Sequence, residues 1–240
     1  MQTELEKLIS LYRELEIDKQ IDYDKFYLYS LITHSTAIEG STITELENQI
    51  MFDQGISLKG KSITEQNMNL DLKNAYETAI KLVHVHTDIT IDLLKSLSAL
   101  VMKNTGQEYK TALGDFSSAQ GDLRLLNVTA GDGGKSYINY SKVPVKLTEF
   151  CNWLNQERKN YVNKSIVQLY ELSFDAHYHL VTIHPWADGN GRMARLVMNM
   201  LQVEFGLIPT KILKDDKEEY IKALVETREN DDLSIFRKFM

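Results

Sequence analysis

The run His184-Pro-Trp-Ala-Asp188-Gly189-Asn190-Gly191-Arg192-Met-Ala-Arg195 gathers more reactive chemistry than any other stretch of this 240-residue chain. Two glycines around an asparagine let consecutive backbone N–H groups converge into an anion-binding nest. A helix starting there adds the free donors of its first turn and the positive end of its dipole. Arg192 and Arg195 are three apart, share a helix face, and offer two guanidinium forks suited to more than one phosphate. Asp188, at the mouth of the nest, is a hard oxygen ligand that could hold a divalent cation against those phosphates. His184 stands beside the nest, where an imidazole can accept a proton from an attacking hydroxyl. A capped helix–helix turn with solvated arginines would explain any one of these residues, but not their concentration. The spacing is neither that of a Walker loop nor of a dinucleotide fingerprint following a strand.

Such groups need rigid supports, and helical periodicity dominates the chain. Leu5, Leu8, Ile9 and Leu11 or Tyr12 form one apolar stripe. A second helix is expected from about Asp24 to Glu39, with Gly40 as its stop. Thr42 with Glu45 reads as a capping box opening a third helix through Ile50, and residues 53–63 read as a loop. Leu70, Ala75, Ile80, Leu82 and Val83 share a long helix, followed by one over Ile91 to Met102 that Asn104 and Gly106 end. Further helices are expected over Lys146–Gln156, Ser165–Thr182, Arg192–Phe205 (with Gly206 as stop) and Lys217–Arg228, with a tail helix from about Leu233. The stretch from about Gly106 to Pro144 differs, holding six of the chain's 12 glycines. Within it, Leu123–Val128 and Tyr137–Tyr140 read as short extended pieces around Gly131-Asp-Gly-Gly134, so a small hairpin is predicted. The expectation is one mainly all-α domain over residues 1–240, with a glycine-rich flap over about 121–144.

Composition supports that frame and excludes others. With 43% apolar residues there is material for one sizeable core. The balance of 27 basic against 34 acidic groups, net −7, argues against a dedicated nucleic-acid binder. The lone cysteine, Cys151, excludes an internal disulfide and reads as buried. The charged, amphipathic start lacks a signal peptide's apolar core, and no apolar run approaches the roughly 20 residues that cross a bilayer. A soluble, cytoplasmic protein with no membrane partner is expected.

The run from His184 to Arg195 resembles the signature of the Fic family (filamentation induced by cAMP) of the Fic/Doc superfamily. That signature reads His-x-Phe-x-Asp/Glu-Gly-Asn-Gly-Arg-x-x-Arg; here Trp186 replaces the usual phenylalanine, keeping an aromatic anchor while asking for more room. Ala176-His177, the Gly-x-x-Arg of Gly121-Asp-Leu-Arg124, and Glu219-Tyr220 also resemble the family, so the likeness runs from about residue 30 onward. The resemblance implies a Fic-type helical domain that transfers AMP from ATP to a Ser, Thr or Tyr hydroxyl of a target protein. It makes His184 the catalytic base and Asp188 the ligand of Mg²⁺. Gly189, Asn190, Gly191 and Arg192 would cradle phosphates, and Arg195 would reach the γ-phosphate. Tyr137, Ile138, Asn139 and Tyr140 would form the flap that holds the protein substrate by backbone pairing.

Ser35-Thr-Ala-Ile-Glu39-Gly40 reads plainly as a helix end with Glu39 in solvent, although a carboxylate in the last turn opposes the helix dipole. It also resembles the inhibitory motif Ser/Thr-x-x-x-Glu-Gly/Asn of Fic proteins that carry it before the core. That likeness implies that Ser35, Glu39 and Gly40, on the helix over about 24–40, set Glu39 against Arg195 as a brake. An alternative role, placing a water for AMP removal, stays open. The resemblance is compatible with a homodimer through the N-terminal helices. A rival reading is a nucleotide-sensing regulatory or toxin–antitoxin binding module, against which intact His184 argues, since a sensor has little need of a base. His84 with His86, and His177 with His179, diverge at their i,i+2 spacing and read as structural rather than metal pairs. His34 reads as structural, and Phe26, Tyr27 and Leu31 as core or interface.

Overall fold

The computed structural model describes residues 3–20, 22–83, 85–130 and 136–240. Among them are ten α-helices: α1 (Glu4–Glu14), α2 (Tyr23–Ile38), α3 (Glu45–Gln54), α4 (Ile63–Val83), α5 (Ile91–Val101), α6 (Val143–Lys159), α7 (Ile166–Ile183), α8 (Asn190–Glu204), α9 (Lys217–Asn230) and α10 (Leu233–Phe239). One antiparallel hairpin, β1 (Glu108–Thr111) with β2 (Gly114–Ser117), follows α5. No helix among the described residues is long and apolar enough to cross a membrane.

α7 and α8 lie side by side at the centre, with α4 and α5 on α8 and α6 and α10 on α7. From Arg192 to Gln202 every residue of α8 is buried, as a helix enclosed on all sides must be. Its interior amides are therefore bonded. Asn199 donates to the Thr210 carbonyl at 2.8 Å and accepts from the Tyr76 hydroxyl at 2.7 Å, while Gln202 donates to Ser173 Oγ at 2.9 Å. This packing fixes the base from which Arg192 and Arg195 project. α2 lies against α3, α4 and α8, so its C-terminal end reaches the same region.

Two local expectations need correction. The capping box of α3 is Thr44 with Glu47, not Thr42 with Glu45, and the helix runs on to Gln54. Thr-Ile-Thr-Glu-Leu-Glu holds two overlapping boxes of equal spacing, and tertiary partners choose between them. Glu65 on α4 takes the amide and hydroxyl of Thr42, while Ser30 and His34 on α2 take Glu45. The second correction concerns the regular strands, which lie upstream of the expected flap, over 108–117. There Tyr109 stacks on Phe116 across the ladder at 4.7 Å. Among the described residues, Leu123–Val128 and Tyr137–Tyr140 are joined by bonds from the Tyr137 amide to the Val128 carbonyl and from the Tyr140 amide to Asn127 Oδ1, each 3.0 Å, beside a bridge between Thr129 and Ser136. Tyr140 begins a short 3₁₀ turn rather than ending a strand. The Gly131-Asp-Gly-Gly134 turn and His84 lie outside the described residues.

Candidate active site

The turn between α7 and α8 is shaped by its own side chains. α7 closes at His184, whose φ of 52° is left-handed, and the His184 amide bonds back to the Leu180 carbonyl at 3.0 Å. Asn190 staples the bend: its Oδ1 accepts from the Trp186 amide at 3.1 Å and its Nδ2 donates to the Trp186 carbonyl at 2.9 Å. What Asn190 leaves for a ligand is its main-chain N–H. Trp186 is fully buried, and its indole N–H donates to the Gly121 carbonyl at 3.1 Å. The larger aromatic is thus accommodated, with a hydrogen bond that phenylalanine lacks. Gly189 sits at φ +79° just before α8, where a Cβ would come within 2.7 Å of Met102 Sδ. No side chain caps α8, so its first amides remain as anion donors.

Burial lowers the His184 imidazole to about 4, so the ring is neutral near pH 7. Nδ1 lies 3.2 Å from the Val181 carbonyl, which can only accept; Nδ1 therefore carries the hydrogen and Nε2 keeps its lone pair. A neutral imidazole with a free nitrogen is the form a general base requires. Burial also lowers His177 to about 3. Both folded values lie below the unfolded one, so the unfolded chain binds protons that the folded chain does not. Stability should accordingly fall as pH drops from about 6.5 to 4, by about 1.4 kcal/mol per pH unit for each histidine. NMR titration of His184 is expected to show a midpoint near 4. A midpoint at the ordinary 6.5 would mean a solvated ring.

Arg192 is buried but poorly partnered. Its Nε has no hydrogen-bond partner among the described residues, Nη2 meets Met102 Sδ at 3.0 Å, and the Asp188 carboxylate stands off at 3.7 Å. A guanidinium held in this way is suited to an incoming anion. Asp188 is open to solvent and accepts from the Gly189 amide at 2.5 Å. Among the described residues no cluster of three acidic, histidine or cysteine groups could hold a metal by itself. One exposed carboxylate beside a phosphate nest fits Mg²⁺, which takes one or two carboxylates together with substrate phosphates and water.

Arg195 is fully engaged. Its Nη2 donates to Glu39 Oε1 at 2.6 Å and to the Ser35 carbonyl at 2.9 Å, and its Nε donates to Ser35 Oγ at 2.8 Å. Tyr220 OH accepts weakly from Nη1 at 3.5 Å and lies 3.0 Å from His177 Nε2, whose ring stacks on Phe236. Burial, the largest single influence, pushes the Glu39 carboxyl up, but the charge and hydrogen bond of Arg195, with the charges of Arg192 and Lys217, together hold it below the usual carboxylate range. Burial, again the largest single influence, would lower Arg195, but Glu39 and Tyr220 together, by charge and hydrogen bond, raise it. Gly40, at φ +106°, ends the turn, while the Gly40 and Ser41 amides return to the Ala37 and Thr36 carbonyls. A Cβ on Gly191 would lie 2.6 Å from Glu39 Oε1, so the Glu39 carboxylate rests against the first turn of α8.

A model of the Fic/DOC family matches residues 88–202, the span holding this turn and both arginines. This span belongs to the Fic/DOC family. The chain is 30% identical over 205 residues to the protein adenylyltransferase Fic of Drosophila grimshawi, covering 83% of this chain and 38% of that protein. To the protein adenylyltransferase fic-1 of Caenorhabditis elegans it is 29% identical over 203 residues, covering 84% and 36%. The chain thus spans less than two-fifths of the length of these curated relatives. A Fic-domain-containing signaling protein from Bacteroides thetaiotaomicron shares the fold at TM-score 0.82 and 21% identity, over 99% of this chain and 92% of that one. A solved segment of C. elegans Fic-1 aligns at TM-score 0.69 and 24% identity, over 92% and 61%.

Around this Fic signature the structure also places the remaining expected residues. Tyr137 stacks on the His184 ring at 3.8 Å. The Ile138 carbonyl accepts from Arg124 at 2.6 Å, Asn139 caps the following 3₁₀ turn, and the Tyr140 amide bonds Asn127 at 3.0 Å. His34 links Glu45 and the Lys214 amide, and His86 faces Glu204. Met102 under Arg192 is absent from the expected site, because nothing in local spacing connects α5 with α8. Tyr220 enters the sequence reading only through family likeness, and His177 through that likeness and as a structural histidine, with no reason visible there for their meeting at Arg195.

Proposed function

We propose that this chain is a self-inhibited protein adenylyltransferase, moving AMP from ATP to a Ser, Thr or Tyr hydroxyl of a target protein. The observation that carries the transfer is a neutral His184 with a free Nε2 beside the nest of Gly189–Gly191 and the under-partnered Arg192. Adenylyltransferase names on the relatives support the same reading. In the reaction the target oxygen bonds to the α-phosphorus as the bond to the bridging oxygen of the β-phosphate breaks. Pyrophosphate leaves, and the hydroxyl proton passes to His184 Nε2. The nest and Arg192 bind the phosphates and stabilise the charge shifted to the leaving group. Asp188 would hold Mg²⁺, which when bound neutralises phosphate charge.

Self-inhibition rests on Glu39. Its carboxylate takes the Arg195 fork that a γ-phosphate would otherwise use. Incubation with ATP labelled at the α-phosphate, and in parallel at the γ-phosphate, tests the assignment. Covalent label from the α-position alone is expected; label from the γ-position would make the chain a kinase. Asp188→Ala should raise the Mg²⁺ concentration for half-maximal labelling by about tenfold or more. An unchanged Mg²⁺ profile would remove Asp188 from the metal site.

A further inference from the structure

Arg124 is 1% exposed, yet among the described residues no carboxylate pairs with it. Its guanidinium instead serves three main-chain carbonyls from three segments. Nε donates to His184 at 2.7 Å, Nη1 to Leu126 at 2.8 Å and Nη2 to Ile138 at 2.6 Å. The Arg124 amide adds a bond to the Pro185 carbonyl at 3.0 Å. One residue therefore grips the catalytic turn on one side and both pieces of the flap on the other.

We propose that Arg124 is a positioning residue that sets the flap against His184, and so fixes where a target hydroxyl meets the base. Its catalytic consequence rests on the adenylyltransferase reading; the clamp itself does not. A buried cation without a counter-charge is a poor route to stability, and an apolar side chain of similar volume would serve packing as well. What the guanidinium supplies is shape: a planar fork with donors in three directions, which a point ammonium cannot reproduce. The flap gains from such a tie because, among the described residues, its own pairing is one bridge, one main-chain amide bond and one amide bond to the Asn127 side chain. The His184 backbone needs it as well. Its left-handed φ of 52° is unfavourable for a bulky residue, and a short bond to its carbonyl holds it there. Tyr137 lies on the His184 ring one residue from the clamped Ile138 carbonyl, so flap placement is reported at the imidazole itself.

The test compares Arg124→Lys and Arg124→Ala, each combined with Glu39→Gly. Two readouts are used: α-label transfer to protein, and the NMR shift of the His184 ring protons. Without the clamp, kcat should fall and the KM for target protein rise, together lowering transfer by up to about 100-fold. Affinity for Mg²⁺-ATP, read by calorimetry, should stay near that of the Glu39→Gly parent. The ring-current shift that Tyr137 imposes on His184 should vanish in both variants, and Arg124→Lys should be no rescue. Transfer and ring-current shift both unchanged in a folded Arg124→Lys protein would overturn the proposal. So would a loss of transfer with the Tyr137–His184 shift intact. Should Glu39→Gly transfer no label, the adenylyltransferase reading fails, and the His184 shift alone still decides the clamp.

Discussion

His184→Ala should bind Mg²⁺-ATP like its parent and transfer AMP about 10²–10⁴-fold more slowly, the range that a positioned general base supplies. Tested in the Glu39→Gly background, the effect is read without the brake. The substitution removes the neutral imidazole at the turn, whose Nδ1 faces a carbonyl, while the nest, Arg192 and Asp188 remain to bind the triphosphate. His184→Ala takes away the acceptor and also the ring on which Tyr137 stacks, so its thermal stability should be measured alongside. Full transfer by a folded His184→Ala protein would assign the proton to another group. The acid limb of the rate profile makes a companion check. Because burial lowers His184 to about 4, transfer should hold through pH 6 and decline only well below it.

Glu39→Gly should raise transfer by about ten- to a hundredfold, the worth of one charge-assisted hydrogen bond of about 1.5–3 kcal/mol returned to the nucleotide. The parent protein holds Glu39 Oε1 at 2.6 Å from Arg195 Nη2, in a pair whose arginine is almost wholly enclosed. Removing the carboxylate leaves Arg195 buried without its counter-charge, still held by Ser35 and open to an incoming phosphate. Arg195→Ala added to Glu39→Gly should cancel the gain, because both changes act on one interaction and their effects cannot add. Ser35→Ala should give a smaller rise. Its hydroxyl accepts from Arg195 Nε, but its carbonyl contact survives the substitution. Rates for these variants at saturating Mg²⁺-ATP on one target decide the matter, and equal rates for the parent and Glu39→Gly would end the self-inhibition reading.

The chain by itself determined whatever depends on neighbours within one or two turns. The stop of α2 at Gly40, the uncapped start of α8 and the i,i+3 placement of Arg192 and Arg195 are local facts of backbone freedom and helical pitch, displayed directly by residues 35–40 and 184–195. The packed structure decided everything that needed distant partners. Glu39 meets Arg195 across 156 positions, and Arg124 reaches the His184 carbonyl across 60. No period or spacing encodes either meeting; family likeness alone suggested the first, and the role of Arg124 went unread. The choice between the Thr42 and Thr44 boxes fell to Glu65, a residue two elements away in the fold. Among the described residues of the flap, the Leu126 and Ile138 carbonyls accept from Arg124 rather than from a facing strand. Even the protonation of His184 belongs to the tertiary structure. An imidazole is an ordinary base near 6.5 in any sequence, and only burial against the core, with a carbonyl at Nδ1, makes it a neutral one with a free Nε2.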